Sequence, residues 1–297
     1  MLFAILAIIS FGLQNLCCKE YGRRFPDTLY AQSVMIAISM IAVTAIMAAL
    51  GGMRALTGKG YVLSVLFGIF FVVTLASMTL AMNYGHMGIT LLIQNSSLVV
   101  PTLYGIVAWN ERLTPVKGVG ILCILLLLAL SSGDATGSGD AQQRAGWNRR
   151  LWLLFTALAF IGDSMLGVLQ GMMSRECATT DSVTFTFWTS LVSLIVAALL
   201  LLYCALRGQS GGLIRSRGAA FPLLLLCIGI GVGTAGGNCF TISALTRLPG
   251  MILFPLRQGA LVLLMWMLGI VIYRERMNRR GLLMLLSGLL GMVLLNL

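Results

Sequence analysis

Two stretches, one in each half of the chain, decide how the rest is read: Gln94–Arg112, QNSSLVVPTLYGIVAWNER, and Gln258–Arg276, QGALVLLMWMLGIVIYRER. Laid over one another from their first residues, they match Gln94 with Gln258, Gly105 with Gly269, Ile106 with Ile270, Val107 with Val271, Glu111 with Glu275 and Arg112 with Arg276. Shared apolar composition accounts for a match or two. A polar Gln at the start and a Glu-Arg pair at the end, held at one separation, indicate an internal repeat. Each stretch is also mostly apolar over about 20 residues, the length a helix needs to cross a hydrocarbon layer about 30 Å thick.

Working outward, further apolar runs of similar length fill the chain, and they predict ten spans: 2–19, 28–50, 61–83, 87–109, 115–132, 151–174, 182–206, 219–243, 249–273 and 280–296. The longest hydrophilic stretch, Ser131–Arg150, reads SSGDATGSGDAQQRAGWNRR, a flexible Gly, Ser and Asp linker that ends in basic residues. The expected organisation is a first five-span repeat over residues 1–132, a hydrophilic linker over 133–150 and a second five-span repeat over 151–297. An odd number of spans per half obliges related halves to lie in the bilayer with opposite orientation. The fold class expected is therefore an all-α integral membrane protein, ten transmembrane helices arranged as two inverted five-helix repeats. A membrane β-barrel is excluded because period-2 alternation is absent.

Composition excludes a soluble protein. Of 297 residues, 59% are hydrophobic and 10% charged, against about 25% charged in an ordinary soluble domain. The net charge of +11 does not indicate nucleic acid, because the basic residues are scattered between apolar runs instead of clustered. They sort by membrane side: thirteen fall on the side of Lys19, Arg144, Arg207 and Arg274, and six on the side of Arg54, Lys59, Arg112, Lys117, Arg175 and Arg247. Lys and Arg favour cytoplasmic loops, so the count places both termini outside. Seven cysteines and one histidine, with no C-x-x-C pair, supply neither a zinc site nor a disulfide framework. Gly231-Val232-Gly233-Thr234-Ala235-Gly236 matches a dinucleotide fingerprint only in letters: it lies inside an apolar span where no strand precedes it, and it reads as close helix packing.

The chain resembles the drug/metabolite transporter superfamily, in its ten-span EamA-like branch. The resemblance rests on Phe11-Gly12 followed by Lys19, on Pro101 in span 4, on Glu111-Arg112-Leu113 closing that span and on Glu275-Arg276-Met277 closing span 9. One departure is Met265, which matches Pro101 under the repeat; the second half carries Pro249 and Pro255 instead. The resemblance implies a multi-pass protein of the plasma (cell inner) membrane. By that likeness it is a secondary transporter that exports or exchanges small solutes through a cavity between the repeats, with no cofactor.

A charge at mid-membrane costs about 2.5 to 3.5 kcal/mol on insertion scales, so each one needs a reason. Asp163 in span 6 and Arg257 in span 9 are the two expected there, at similar depth. Two readings stand side by side: an ion pair tying the spans together, or groups facing a hydrated cavity. In the second, Arg257 holds a carboxylate or phosphate, and Asp163 holds an amine or carries a coupling proton. Uncharged polar residues inside spans complete a candidate substrate site: Gln14 and Asn15 in span 1, Gln94, Asn95, Ser96 and Ser97 in span 4, Gln170 in span 6, Asn238 in span 8 and Gln258 in span 9. Gln94 and Gln258 stand out because they occupy matched repeat positions. His86 reads as a turn residue, and Glu111 and Glu275 as span ends that pair with the adjacent Arg or as gate contacts that break during alternating access. A membrane enzyme acting on lipid-linked substrates would be expected to show a cluster of His, Asp, Glu or Cys at a membrane face, whereas the chain has one His and no acidic cluster; a non-transporting scaffold subunit would show no solute-dependent effect in any assay.

Overall fold

The computed structural model describes residues 1–25, 28–84, 90, 93–111, 114–134, 149–177, 181–208, 220–273 and 279–296, and these contain no strand. Five helices precede the linker: α1 (Leu2–Arg24), α2 (Leu29–Ala49), α3 (Gly58–Tyr84), α4 (Val99–Ala108) and α5 (Pro115–Asp134). Five follow it: α6 (Arg149–Glu176), α7 (Ser182–Leu206), α8 (Ala220–Leu245), α9 (Gly250–Tyr273) and α10 (Arg279–Asn296). Helices α5 and α6 run past the edges expected for the linker, to Asp134 and back to Arg149. Residues 135–148, with most of the linker, lie outside the described residues, as do His86, Arg112, Glu275 and Arg276.

The helices form because an apolar chain in lipid must satisfy its own backbone polar groups, which a helix does within one segment. Local signals set the ends. The Thr28 hydroxyl accepts the Ala31 N–H at 3.2 Å to start α2, and Gly51, in the left-handed region at φ +83°, ends it. Asp181 starts α7, its carboxylate accepting the Val183 N–H at 3.5 Å.

Span 4 is not one continuous α-helix: residues 93–95 are helical, Ser96–Leu98 tighten into a 3-10 turn, and α4 follows. Pro101 explains part of this, since it has no N–H to give the carbonyl of Ser97. The hydroxyl of Ser164 on α6 lies 3.4 Å from that carbonyl, with Phe160 O as its closer acceptor at 2.7 Å.

Six helical segments are each long and apolar enough to cross a membrane: Leu2–Arg24, Leu29–Ala49, Gly58–Ala81, Arg149–Glu176, Ser182–Leu206 and Ala220–Leu245. The protein is thus an all-helical integral membrane protein. Large apolar side chains such as Ile9, Ile41, Leu122, Leu199, Leu225 and Leu290 stay exposed on the outer faces, where lipid replaces a protein partner.

The helices pack largely across the linker. Helix α1 lies along α8 and α3 along α6, while α2 faces α7, α4 faces α9 and α5 faces α10. The α1–α8 seam is closed by the glycine run expected to serve close packing. A Cβ at Gly233 would sit 2.6 Å from the backbone oxygen of Ser10 and 2.7 Å from the nitrogen of Gln14; one at Gly231 would sit 2.7 Å from the oxygen of Ser39 on α2. Without side chains there, the backbones approach until they touch.

Candidate functional site

The site grows from three helices that meet behind α1. Helix α6 presents Asp163 and, two turns on, Gln170; α8 presents Asn238 and Thr241; α9 presents Arg257 and Gln258. Gln170 is the hub: its Nε2 donates to Asn238 Oδ1 at 2.8 Å, and its Oε1 accepts from Arg257 Nη1 at 3.5 Å. Arg257 Nη1 also reaches Thr241 Oγ1 at 3.4 Å. Both guanidinium contacts are long for hydrogen bonds, and both partners are neutral. Two aromatic rings complete the surroundings, Phe11 from α1 at 5.1 Å and Phe254 at 5.8 Å from the guanidinium carbon, within the range of cation–π attraction.

Asp163 sits nearby with a neutral donor of its own. The Ser97 hydroxyl, carried on the 3-10 turn of span 4, donates to Asp163 Oδ2. Among the described residues no ion pair joins Asp163 to Arg257, although each lies within reach of the other's charge. Of the two arrangements the sequence left open, this conformation therefore holds separate charges on polar neutral partners, and the tying ion pair is absent.

The remaining expected residues divide. Gln258 Nε2 donates to Asn95 Oδ1 at 3.1 Å, joining α9 to span 4. The matched residue Gln94 is not its partner; the Gln94 Oε1 is buried with no hydrogen-bond partner among the described residues, as is Gln14 Oε1 on α1. Asn15 is half-buried on α1 and makes no hydrogen bond to the cluster among the described residues. Asn238 also borders a cavity of about 10 Å³ between α2, α3, α7 and α8, lined by Thr186, Thr189, Ser193 and Thr234 as well. That is room for about one water, so in this conformation a solute cannot enter there without helix movement.

Thr241, Phe11 and Phe254 were not among the expected site residues. A hydroxyl or phenyl ring inside an apolar span carries no signal of its own; only the position of the Arg257 head group reveals them. The described residues contain no group of three or more His, Cys, Asp or Glu arranged to hold a metal.

One end of the bundle holds a second polar cluster. The Glu111 carboxylate is 5% exposed and stands at the start of α9, where Oε1 accepts the Gly250 N–H and Oε2 the Met251 N–H, each at 2.9 Å. Arg175, at the end of α6, donates to the same Oε1 and lies over the Trp109 ring at 4.7 Å. Glu111 had been expected to pair with the adjacent Arg112, which lies outside the described residues; the structure gives it Arg175 from α6, 64 residues away, and makes it the cap of another helix.

Polar side chains packed inside a helical shell with apolar outer faces define the class: a multi-pass, helical membrane protein. Residues 1–133 match the model of the EamA-like transporter family, which shows the resemblance over the first half of the chain and points to transport of small solutes. No curated protein matches the chain. A solved structure titled only "Crystal structure of protein" is similar in fold, with a TM-score of 0.73 at 16% identity over 99% of this chain and 94% of that one.

Proposed function

We propose that the protein is a secondary transporter that moves a small solute across the cell inner membrane by alternating access, in export or exchange. In this reading ten spans form two inverted five-helix repeats, residues 1–132 and 151–297, with both termini outside. The packing supports it: exchanging the halves turns the α1–α8 contact into α6–α3 and returns α2–α7, α4–α9 and α5–α10 to themselves, as a two-fold axis in the membrane plane requires.

The solute site is built by Gln94, Asp163, Arg257 and Gln258, with Gln14, Asn15, Asn95 and Asn238 around them. One observation carries this: Arg257 is a mid-span cation whose protein contacts are long and neutral. A permanently charged guanidinium in lipid is costly, and a planar fork left without a carboxylate is suited to take one, or a phosphate, from a ligand. Asp163 then holds an amine or carries the coupling proton. Its hydrogen bond from Ser97 lets it exchange partners without being left bare.

The test is a solute screen in proteoliposomes with and without a pH gradient, repeated with Arg257→Ala and Asp163→Asn. Arg257→Ala is expected to abolish uptake of the anionic solute. Full gradient-driven transport by Asp163→Asn would remove the coupling role.

A further inference from the structure

The cluster at Glu111 is more than a helix cap, because of what lies beyond it on α9. The first turn of this helix runs from Gly250 to Phe254, and Pro255 follows. Proline at 255 has no N–H for the carbonyl of Met251 and crowds it, so the helix is weakest just there. On the near side of that weak point, Gly250 and Met251 are pinned by Glu111. On its far side stands Arg257.

Between them is Phe254, 2% exposed. Its ring lies 5.8 Å from the Arg257 guanidinium and packs against Gly167 of α6, where a Cβ would come within 3.7 Å of it. The ring thus touches both sides of the weak point, with Arg257 on one and Gly250, where a Cβ would lie 3.1 Å from it, on the other. The end of the bundle that bears Glu111 is cross-tied by Arg175 on that carboxylate, by Trp109 in the notch that Gly171 leaves, where a Cβ would lie 2.1 Å from its Cη2, and by Lys59 Nζ on Glu176 at 2.5 Å.

We infer that Glu111 and Arg175 form a latch, that Pro255 is its hinge, and that the Gly250–Phe254 turn is the gate between the Arg257 site and this membrane face. When the latch holds, α4, α6 and α9 are drawn together at their ends and Phe254 covers the site. When it breaks, the turn swings about Pro255 and carries Phe254 off Arg257, while the part of α9 bearing Arg257 and Gln258 stays packed. The charge on Glu111 suits a contact that must hold and then release. Two N–H groups at a helix start and one guanidinium stabilise the carboxylate, and all of them lie at a bundle end where water can replace them on opening.

The inference rests on the transport reading only for its purpose; the motion itself is measurable without any solute. Hydrogen–deuterium exchange of the protein in lipid nanodiscs reads the amides of 250–254 and 256 directly. Arg175→Gln, which touches no α9 amide, is expected to raise exchange across 250–254 about tenfold, the shift that loss of one charge-assisted hydrogen bond gives an opening equilibrium. Residues 258–265 should be unchanged, and Arg175→Lys should restore most of the protection. Glu111→Gln should act the same way.

Wild-type exchange at 250–254 in both Gln variants would overturn the latch whatever the chain carries. Exchange raised only at Gly250 and Met251, and only in Glu111→Gln, would reduce Glu111 to a cap and overturn the gate.

Discussion

Two carboxylates inside the bundle, Glu111 with its side chain buried and Asp163 half-buried, are treated in opposite ways. Glu111 is given a guanidinium and two backbone N–H groups, so its lone pairs are taken up. Asp163 receives one hydroxyl, from Ser97. Their cationic counterparts differ likewise: Arg175 lies against a carboxylate and an indole, whereas Arg257 has an amide and a hydroxyl at 3.4 to 3.5 Å and two phenyl rings. A charge matched within the protein contributes to holding a conformation. A charge left with neutral partners keeps its strongest interaction for something that arrives. The comparison separates a cluster that shuts the molecule from one that waits for a ligand.

The comparison can be broken at its strongest point first. Arg257→Ala should lower the affinity for an anionic solute by at least about tenfold, since a charge-assisted pair contributes more than 1.4 kcal/mol, while thermal unfolding in detergent stays near the parent. Isothermal titration and a melting curve on one preparation decide it, and an unchanged affinity would remove Arg257 from the site. Glu111→Ala should do the reverse. It strands Arg175 and two helix N–H groups, and a loss of about 2 to 3 kcal/mol of stability is expected, read as earlier unfolding with solute affinity less affected.

A third change tests the frame that holds both clusters. Gly233→Ala forces a methyl against the backbone of Ser10 and Gln14, which cannot rotate away, so α1 must lift from α8 at a cost of about 1 to 3 kcal/mol. Because Phe11 rides on α1, solute affinity should fall with it; stability lost without affinity would show that Phe11 is not part of the site. The smallest effect is expected for Ser97→Ala. It removes the one hydroxyl on Asp163 and about 1 kcal/mol, and a shift in the pH dependence of transport, with the maximal rate retained, would tie that hydroxyl to the coupling proton.

How much of this was legible beforehand follows from what each feature depends on. The bounds of α7 coincide with the expected span 182–206 because Asp181 starts the helix and apolar composition runs unbroken to Leu206. Asp163 and Arg257 stood out because a charge in an apolar run is conspicuous in one dimension. Gln94 and Gln258 hold matched positions in the two stretches, but Gln258 hydrogen-bonds Asn95 and not Gln94, because which side chain of span 4 reaches α9 depends on how those two helices pack. Arg175 on Glu111 could not be read at all, because two residues in different halves were brought together only by the packing of α6 against the ends of α4 and α9.

The sequence alone determined that the chain is a helical membrane protein and which apolar runs supply its long helices. These follow from local hydropathy, which acts along the chain and needs no partner. The tertiary structure decided which charges are paired and which are kept apart. Pairing is a matter of a few ångströms between side chains on separate helices, and that distance is set by glycine seams, a proline and a 3-10 turn acting together.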